Sequence, residues 1–153
     1  MFNEYILSFT LLTIYTIVLH FWSDLKERKV DSRRNHMMIG AVLVIGIISN
    51  QADVLILAGL VTILFTIILS KLEKKQGQIV FGDGDKEILT WSVPGIALCF
   101  GYFYAGAFIF LLMISFFGLA YLRQTKLIQA NKLPGLVFIS FAYLVILILG
   151  WLL

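Results

Sequence analysis

An all-α membrane protein of six transmembrane helices is the fold class this chain predicts, and three observations predict it. Of 153 residues, 60% are hydrophobic and 14% charged, with a mean hydropathy of +0.95, whereas soluble domains carry about a quarter charged residues. The apolar residues gather into six stretches, most of them near the roughly 20 residues that a helix needs to cross a bilayer. Every lysine and arginine falls in the first, third or fifth polar segment between those stretches. Length and composition together predict a single transmembrane domain over 1–153.

The first span is expected from about Phe2 to Trp22, with Ser23 and Asp24 ending it. It lacks a basic leading segment and a small-residue cleavage site, so it reads as a retained helix rather than a signal peptide. A second apolar stretch, about Met37 to Ser49, would reach only roughly 20 Å at 1.5 Å per residue. Either that helix begins earlier, inside the polar segment Ser23 to His36, or the bilayer thins around it. The third span runs from about Val54 to Ser70 and leads into KLEKKQGQIVFGDGDKE, the longest polar segment. A fourth helix begins near Lys86, and a tight turn around Gly101 to Gly106 separates it from a fifth. The sixth span, about Leu133 to Leu153, carries Pro134 in its first turn, where a missing N–H costs little.

Charge placement gives the orientation. Short cytoplasmic loops collect Lys and Arg, so the first, third and fifth polar segments are expected inside the cell and both termini outside. Glu4 and Asp53 are the acids left on the far side. The same assignment brings two acidic positions to one face of the membrane: Asp24 in WSDLKERKVDS and Asp85 in FGDGDKEI.

A carboxylate at the edge of a membrane is expensive enough to need a reason. Two of them close together can hydrolyse a peptide bond without metal, cofactor or covalent nucleophile. One takes a proton from water while its protonated partner polarises the carbonyl or protonates the leaving amine, and mutual repulsion keeps a proton shared between them. The pair Asp24 and Asp85 is the candidate catalytic site. Gly82 and Gly84 would let an extended substrate backbone approach closely and would permit φ values closed to other residues. Asp83 and Glu87, flanking Asp85, are candidates for contact with a basic substrate segment. The competing reading of Asp24 and Asp85 is that they cap helix ends or pair with neighbouring Lys and Arg.

These residues carry a resemblance. Asp24-Leu25-Lys26-x-Arg28-x-Val30 resembles the first-aspartate motif of the type IV prepilin and preflagellin leader peptidases, and Gly82-x-Gly84-Asp85 resembles their GxGD motif. Leu133-Pro134-Gly135 before an apolar run is similar to the start of that family's last helix. The resemblance covers most of the chain in helix number and motif order, and it is nearest to the small stand-alone members. It implies a membrane aspartyl endopeptidase that removes a basic leader from pilin-like precursors at the cytoplasmic face, with Asp24 and Asp85 as the catalytic pair and no cofactor. The cysteine-rich segment of the larger members is absent, and with it the accessory N-methylation of the processed pilin. Two positions depart from the family pattern. Asp31-Ser32 stands where a Pro-Asn pair is usual, with an asparagine only at Asn35, and Glu87 stands where a lysine often follows the second aspartate.

The remaining polar residues read as structural. His20 and His36 lack metal-ligand spacing, Cys99 is a small apolar residue inside a helix, and Trp22, Trp91, Trp151, Tyr102 and Tyr104 read as anchors at the membrane interface. The expected partners are a pilin-like precursor and the bilayer, with no nucleic acid. Two non-protease classes compete: a non-catalytic assembly component of a pilus or secretion system, which needs no paired aspartates, and a small transporter, which would place polar groups near the bilayer midplane. The six spans are expected to hold none there.

Overall fold

A computed structural model describes residues 4–27, 32–77, 81–125 and 135–152, with the side chains of 4–6, 21, 23–27, 76, 123 and 135 outside the description. Among the described residues the chain is all-helical, with six helices and no strand: α1 Glu4–Glu27, α2 Ser32–Ile48, α3 Ala52–Gln76, α4 Asp83–Phe100, α5 Tyr102–Gln124 and α6 Gly135–Leu152. Each helix begins or ends where the apolar pattern predicts within a few residues, and the departures are informative. α1 continues through Ser23 and Asp24 to Glu27, because Leu25, Lys26 and Glu27 are good helix formers and no Gly or Pro interrupts them. α2 begins within the polar segment, at Ser32, which settles the question raised by the short Met37–Ser49 stretch. Its 17 residues span about 26 Å at 1.5 Å each.

α3 likewise runs past Ser70 to Gln76 and ends on Gly77, which takes the left-handed conformation (φ 63°, ψ 22°) and donates its N–H to the Glu73 and Lys74 carbonyls. That is the usual glycine stop at a helix C-terminus. Between α4 and α5 the break is a single residue, Gly101, at φ 91° and ψ 173°, a region that only glycine occupies without strain. Gly106 lies inside α5. Pro134, Lys126, Lys132, Arg28, Lys29 and Asp31 lie outside the described residues.

α4 is the central helix. From Ile88 to Leu98 all but one of its residues are buried, and it packs against α2, α3, α5 and α6. Three glycines set close approaches, Gly150 against the Phe100 ring among them. A methyl group on Gly95 would meet the Phe9 ring at 2.7 Å and Val42 at 3.6 Å, and one on Gly46 would collide with the Leu55 side chain. The interior is apolar and aromatic: Trp91, Phe108 and Tyr143 meet edge to face, and Phe81 lies 6.1 Å from Phe116.

The outer surface is as apolar as the interior. α1 exposes Leu11, Tyr15, Val18 and Trp22, α3 exposes Ile56, Leu60, Ile63, Leu64, Ile67 and Ile68, and α5 and α6 expose Phe103, Phe110, Phe141 and Ile148. A soluble monomer rarely shows contiguous apolar patches beyond a few hundred Å². Two helices, over Ala52–Lys75 and Tyr102–Leu122, are long and apolar enough to cross a membrane by themselves, and shorter apolar stretches cover Leu7–His20 and Leu136–Leu152.

Polar groups do occur midway along the helices, contrary to expectation. Thr10, Thr13, Thr16 and His20 form a buried stripe along α1, and Thr62, Ser92 and Ser140 are buried elsewhere. The threonines satisfy themselves locally. Thr13 donates to the Thr10 carbonyl, Thr16 to the Leu12 carbonyl and Thr62 to the Ala58 carbonyl, at 2.7–2.8 Å, the back-bonding by which hydroxyls tolerate an apolar helix interior.

A candidate active site at one end of the bundle

Short connections make consecutive helices alternate in direction, so α1, α3 and α5 end where α2, α4 and α6 begin. Three hydrogen-bonded links tie that end together. Ser32 Oγ, at the start of α2, donates to Glu87 Oε2 of α4 at 2.8 Å, and Asn35 Nδ2 donates to the same oxygen at 3.2 Å. Asn35 Oδ1 in turn accepts from Trp91 Nε1 at 3.0 Å. Glu73, in the last turn of α3, accepts from the Phe81 N–H at 2.7 Å and from Lys86 Nζ at 2.6 Å.

Asp85 sits inside this ring of contacts. It is the third residue of α4 and is buried at 8% exposure. Its Oδ2 accepts the Gly82 N–H at 3.0 Å, so it forms the carboxylate half of a capping box whose other half a glycine N-cap cannot supply. Gly82 itself is extended (φ −65°, ψ 166°). The conformational freedom expected of Gly82 is therefore not used, and the left-handed glycines among the described residues are Gly77 and Gly101. What Gly82 offers instead is openness: it is exposed, and a methyl group there would meet only Asp85 Oδ2, at 3.8 Å. Gly84 is half-buried, between exposed Asp83 and buried Asp85. α4 begins at Asp83 rather than near Lys86, which brings both acids into its first turn, where the helix dipole favours negative charge.

Asp24 falls in the last turn of α1, with its side chain outside the described residues. Its turn reaches the same end of the bundle, since four residues separate Glu27 from the N-terminus of α2 and Ser32 there bonds to Glu87. The tip of the Phe9 ring of α1 reaches Gly95 of α4.

Glu87 and Lys86 have roles in the fold that no sequence motif announced. Adjacent on α4, they take partners on different helices: Glu87 bonds to α2 and Lys86 to α3. Trp91, expected at the membrane interface, is wholly buried, because its indole N–H has a partner in Asn35 and its ring packs on Tyr143. Trp22, Trp151 and Tyr102 are exposed as interface anchors would be, and Tyr104 is half-buried. Cys99 is half-buried, and His36 Nδ1 lies 2.6 Å from the Ser32 carbonyl. Sequence reasoning missed Glu73 and the burial of His20 and Asn35. For Asn35 a signal existed: with Met38, Val42 and Gly46 it completes a helical stripe at spacings of three, four and four, and all four are buried. Comparison with family models, with curated proteins and with solved structures found no match.

Proposed function

We propose that this chain is a membrane aspartyl endopeptidase that cleaves the basic leader of type IV pilin-like precursors at the cytoplasmic face, with a water molecule activated between Asp24 and Asp85. The observation that carries the reading is the buried Asp85 carboxylate in the first turn of α4, at the bundle end that the Asp24 turn of α1 also reaches. All six helices cross the bilayer in this reading and both termini lie outside. Its support is the apolar outer surface and the collection of Arg33, Arg34, Lys71, Lys74, Lys75 and Lys86 at the end that holds Asp85, the cytoplasmic end by the rule that basic residues stay inside.

The chemistry follows from the residues. An inserted apolar helix with its leader in the cytoplasm presents the scissile bond at the level of the headgroups, where exposed Gly82 and Asp83 border the site. One aspartate, ionised, removes a proton from the attacking water, and the other, protonated, donates to the carbonyl oxygen as the tetrahedral intermediate forms. The proton acquired by the first aspartate then goes to the departing amine. The capping bond holds the Asp85 carboxyl in a fixed orientation, which preorganisation requires.

A non-catalytic assembly component is the competing reading, and the Gly82–Asp85 bond is what favours it: there Asp85 only caps α4. Cleavage of a pilin-like precursor in liposomes separates the two. Asp24→Asn and Asp85→Asn should each abolish cleavage in folded protein, the double variant should cost little more because the pair acts as a unit, and Asp83→Asn should keep substantial activity. Wild-type cleavage that survives Asp85→Asn would exclude the pair as catalyst. Loss in Asp83→Asn with activity in Asp85→Asn would move the catalytic role to Asp83.

A further inference from the structure

One carboxylate holds both ends of the segment that carries Asp85. Glu73 has two oxygens and two donors: Oε1 accepts the N–H of Phe81, the residue before Gly82, and Oε2 accepts Nζ of Lys86, the residue after Asp85. Gly82 to Asp85 is thus bracketed on both sides by bonds to a single side chain. Its exposure of 6%, with 17% for Lys86, sets this pair apart from a surface ion pair, which is screened and contributes little. Glu73 is itself anchored. It lies in the last turn of α3, and the Gly77 N–H that terminates the helix bonds to the Glu73 carbonyl.

We infer that Glu73 is a positioning residue for Asp85, fixing the Gly82–Asp85 turn against the end of α3. The inference rests on the protease reading for its effect on rate, and on the hydrogen-bond geometry of Glu73 alone for its effect on the turn. Both Glu73 oxygens are engaged by donors of the turn, at 2.7 and 2.6 Å. Its negative charge is offset by Lys86. Lys86 thus reaches α3, while its neighbour Glu87 bonds to α2.

Two readouts test it. In proteoliposomes with a fixed precursor, Glu73→Ala should lower kcat on the order of 100-fold, as a misplaced catalytic group does, with KM within about twofold because Glu73 does not touch substrate. Glu73→Gln keeps an acceptor for Phe81 but sets an amide N–H₂ against the Lys86 ammonium, so its loss should be smaller. Adding Lys86→Gln to it should restore much of kcat, since two carboxamides can bond to each other. A residue that only stabilises the fold would instead reduce the folded fraction and leave kcat per folded molecule unchanged. The second readout needs no activity: amide hydrogen exchange at Phe81 should speed up at least about tenfold in Glu73→Ala, through local opening, and stay at the wild-type rate in Asp85→Asn. Wild-type protein that cleaves nothing while Phe81 loses protection in Glu73→Ala would sink the protease and leave the clamp standing. Unchanged Phe81 exchange, or unchanged kcat per folded molecule, would overturn the clamp.

Discussion

The two ends of this bundle are closed by different means. At the end of the α2–α3 and α4–α5 turns, the described bonds join neighbouring residues: the Ser49, Asn50 and Gln51 N–H groups donate to carbonyls three to five residues back, Ser49 Oγ donates to the Ile45 and Gly46 carbonyls, and Gly101 donates to Ala97. Asn50 and Gly101 take positive φ there to make the turns tight. At the other end, side chains bond from helix to helix: Ser32 and Asn35 to Glu87, Trp91 to Asn35, Lys86 to Glu73. Tight turns need only local chemistry. In the proposed reading the other end presents a polar segment to a substrate and has to be held open and rigid, and that takes bonds between elements distant in sequence.

The largest effect should separate the ends by side of the membrane. In a Cys99→Ala background, Glu27→Cys and Gln76→Cys should label from the cytoplasm and Ala52→Cys from outside, with almost no crossover. Labelling of positions 27 and 76 from opposite sides would break the shared site.

Next in size is the cross-helix network. Trp91 is wholly buried and bonds to Asn35, so Trp91→Ala should cost about 3–5 kcal/mol of unfolding free energy in detergent micelles. Trp91→Phe keeps most of the ring volume and isolates the hydrogen bond. About 0.6 kcal/mol is the average for such bonds between membrane helices, and a loss beyond about 2 kcal/mol would show that Asn35 and Glu87 fail together once the indole donor is gone.

The contrast also explains what could be read from the sequence. Helix number followed from apolar stretches, and the Gly101 break followed from local glycine chemistry, whereas the expected end of the third span at Ser70 fell short of the stop at Gly77. α1 beyond Trp22 and α2 before Met37 were not legible by hydropathy, because Asp24, Lys26, Arg33, Arg34 and Asn35 are polar and only packing decides that they continue a helix. Asp85 stood out through GDGD. Its supports did not: Glu73 lies 12 residues upstream among lysines, and its bonds exist only once α3 has stopped at Gly77 and the chain has turned back. A charge run of KLEKK reads as a solvated helix end, and one of its members is buried.

At the locally closed end, Gly101→Ala should cost about 1–3 kcal/mol, the strain of a side chain at φ 91° and ψ 173°. Because that turn is remote from the site, kcat should be unchanged in the folded fraction. A fall in kcat comparable to that of Glu73→Ala would mean that the two ends are mechanically coupled through α4.

The smallest effect concerns Glu87, where the two roles of a side chain can be separated by one substitution. Its Oε2 accepts from Ser32 Oγ and Asn35 Nδ2, and a glutamine carbonyl at the same place can accept from both, so Glu87→Gln keeps the link between α2 and α4 while removing the charge. Ser32 and Asn35 are neutral donors and do not cancel that charge, and Glu87 is half-buried near the rim of the candidate site. In the proposed reading a basic leader would therefore still be attracted in the wild type. The attraction is that of a partly solvated pair, about 0.2–1 kcal/mol, so Glu87→Gln should weaken processing of a strongly basic leader about 1.4- to fivefold relative to a leader with fewer charges. The difference should shrink as salt shortens the Debye length from about 10 Å at 0.1 M toward 3 Å at 1 M. Glu87→Lys removes acceptor and charge together and should slow both leaders. If Glu87→Gln treats the two leaders alike while Glu87→Lys impairs both, Glu87 belongs wholly to the α2–α4 junction, and leader charge is read elsewhere, with Asp83 the nearest exposed acid.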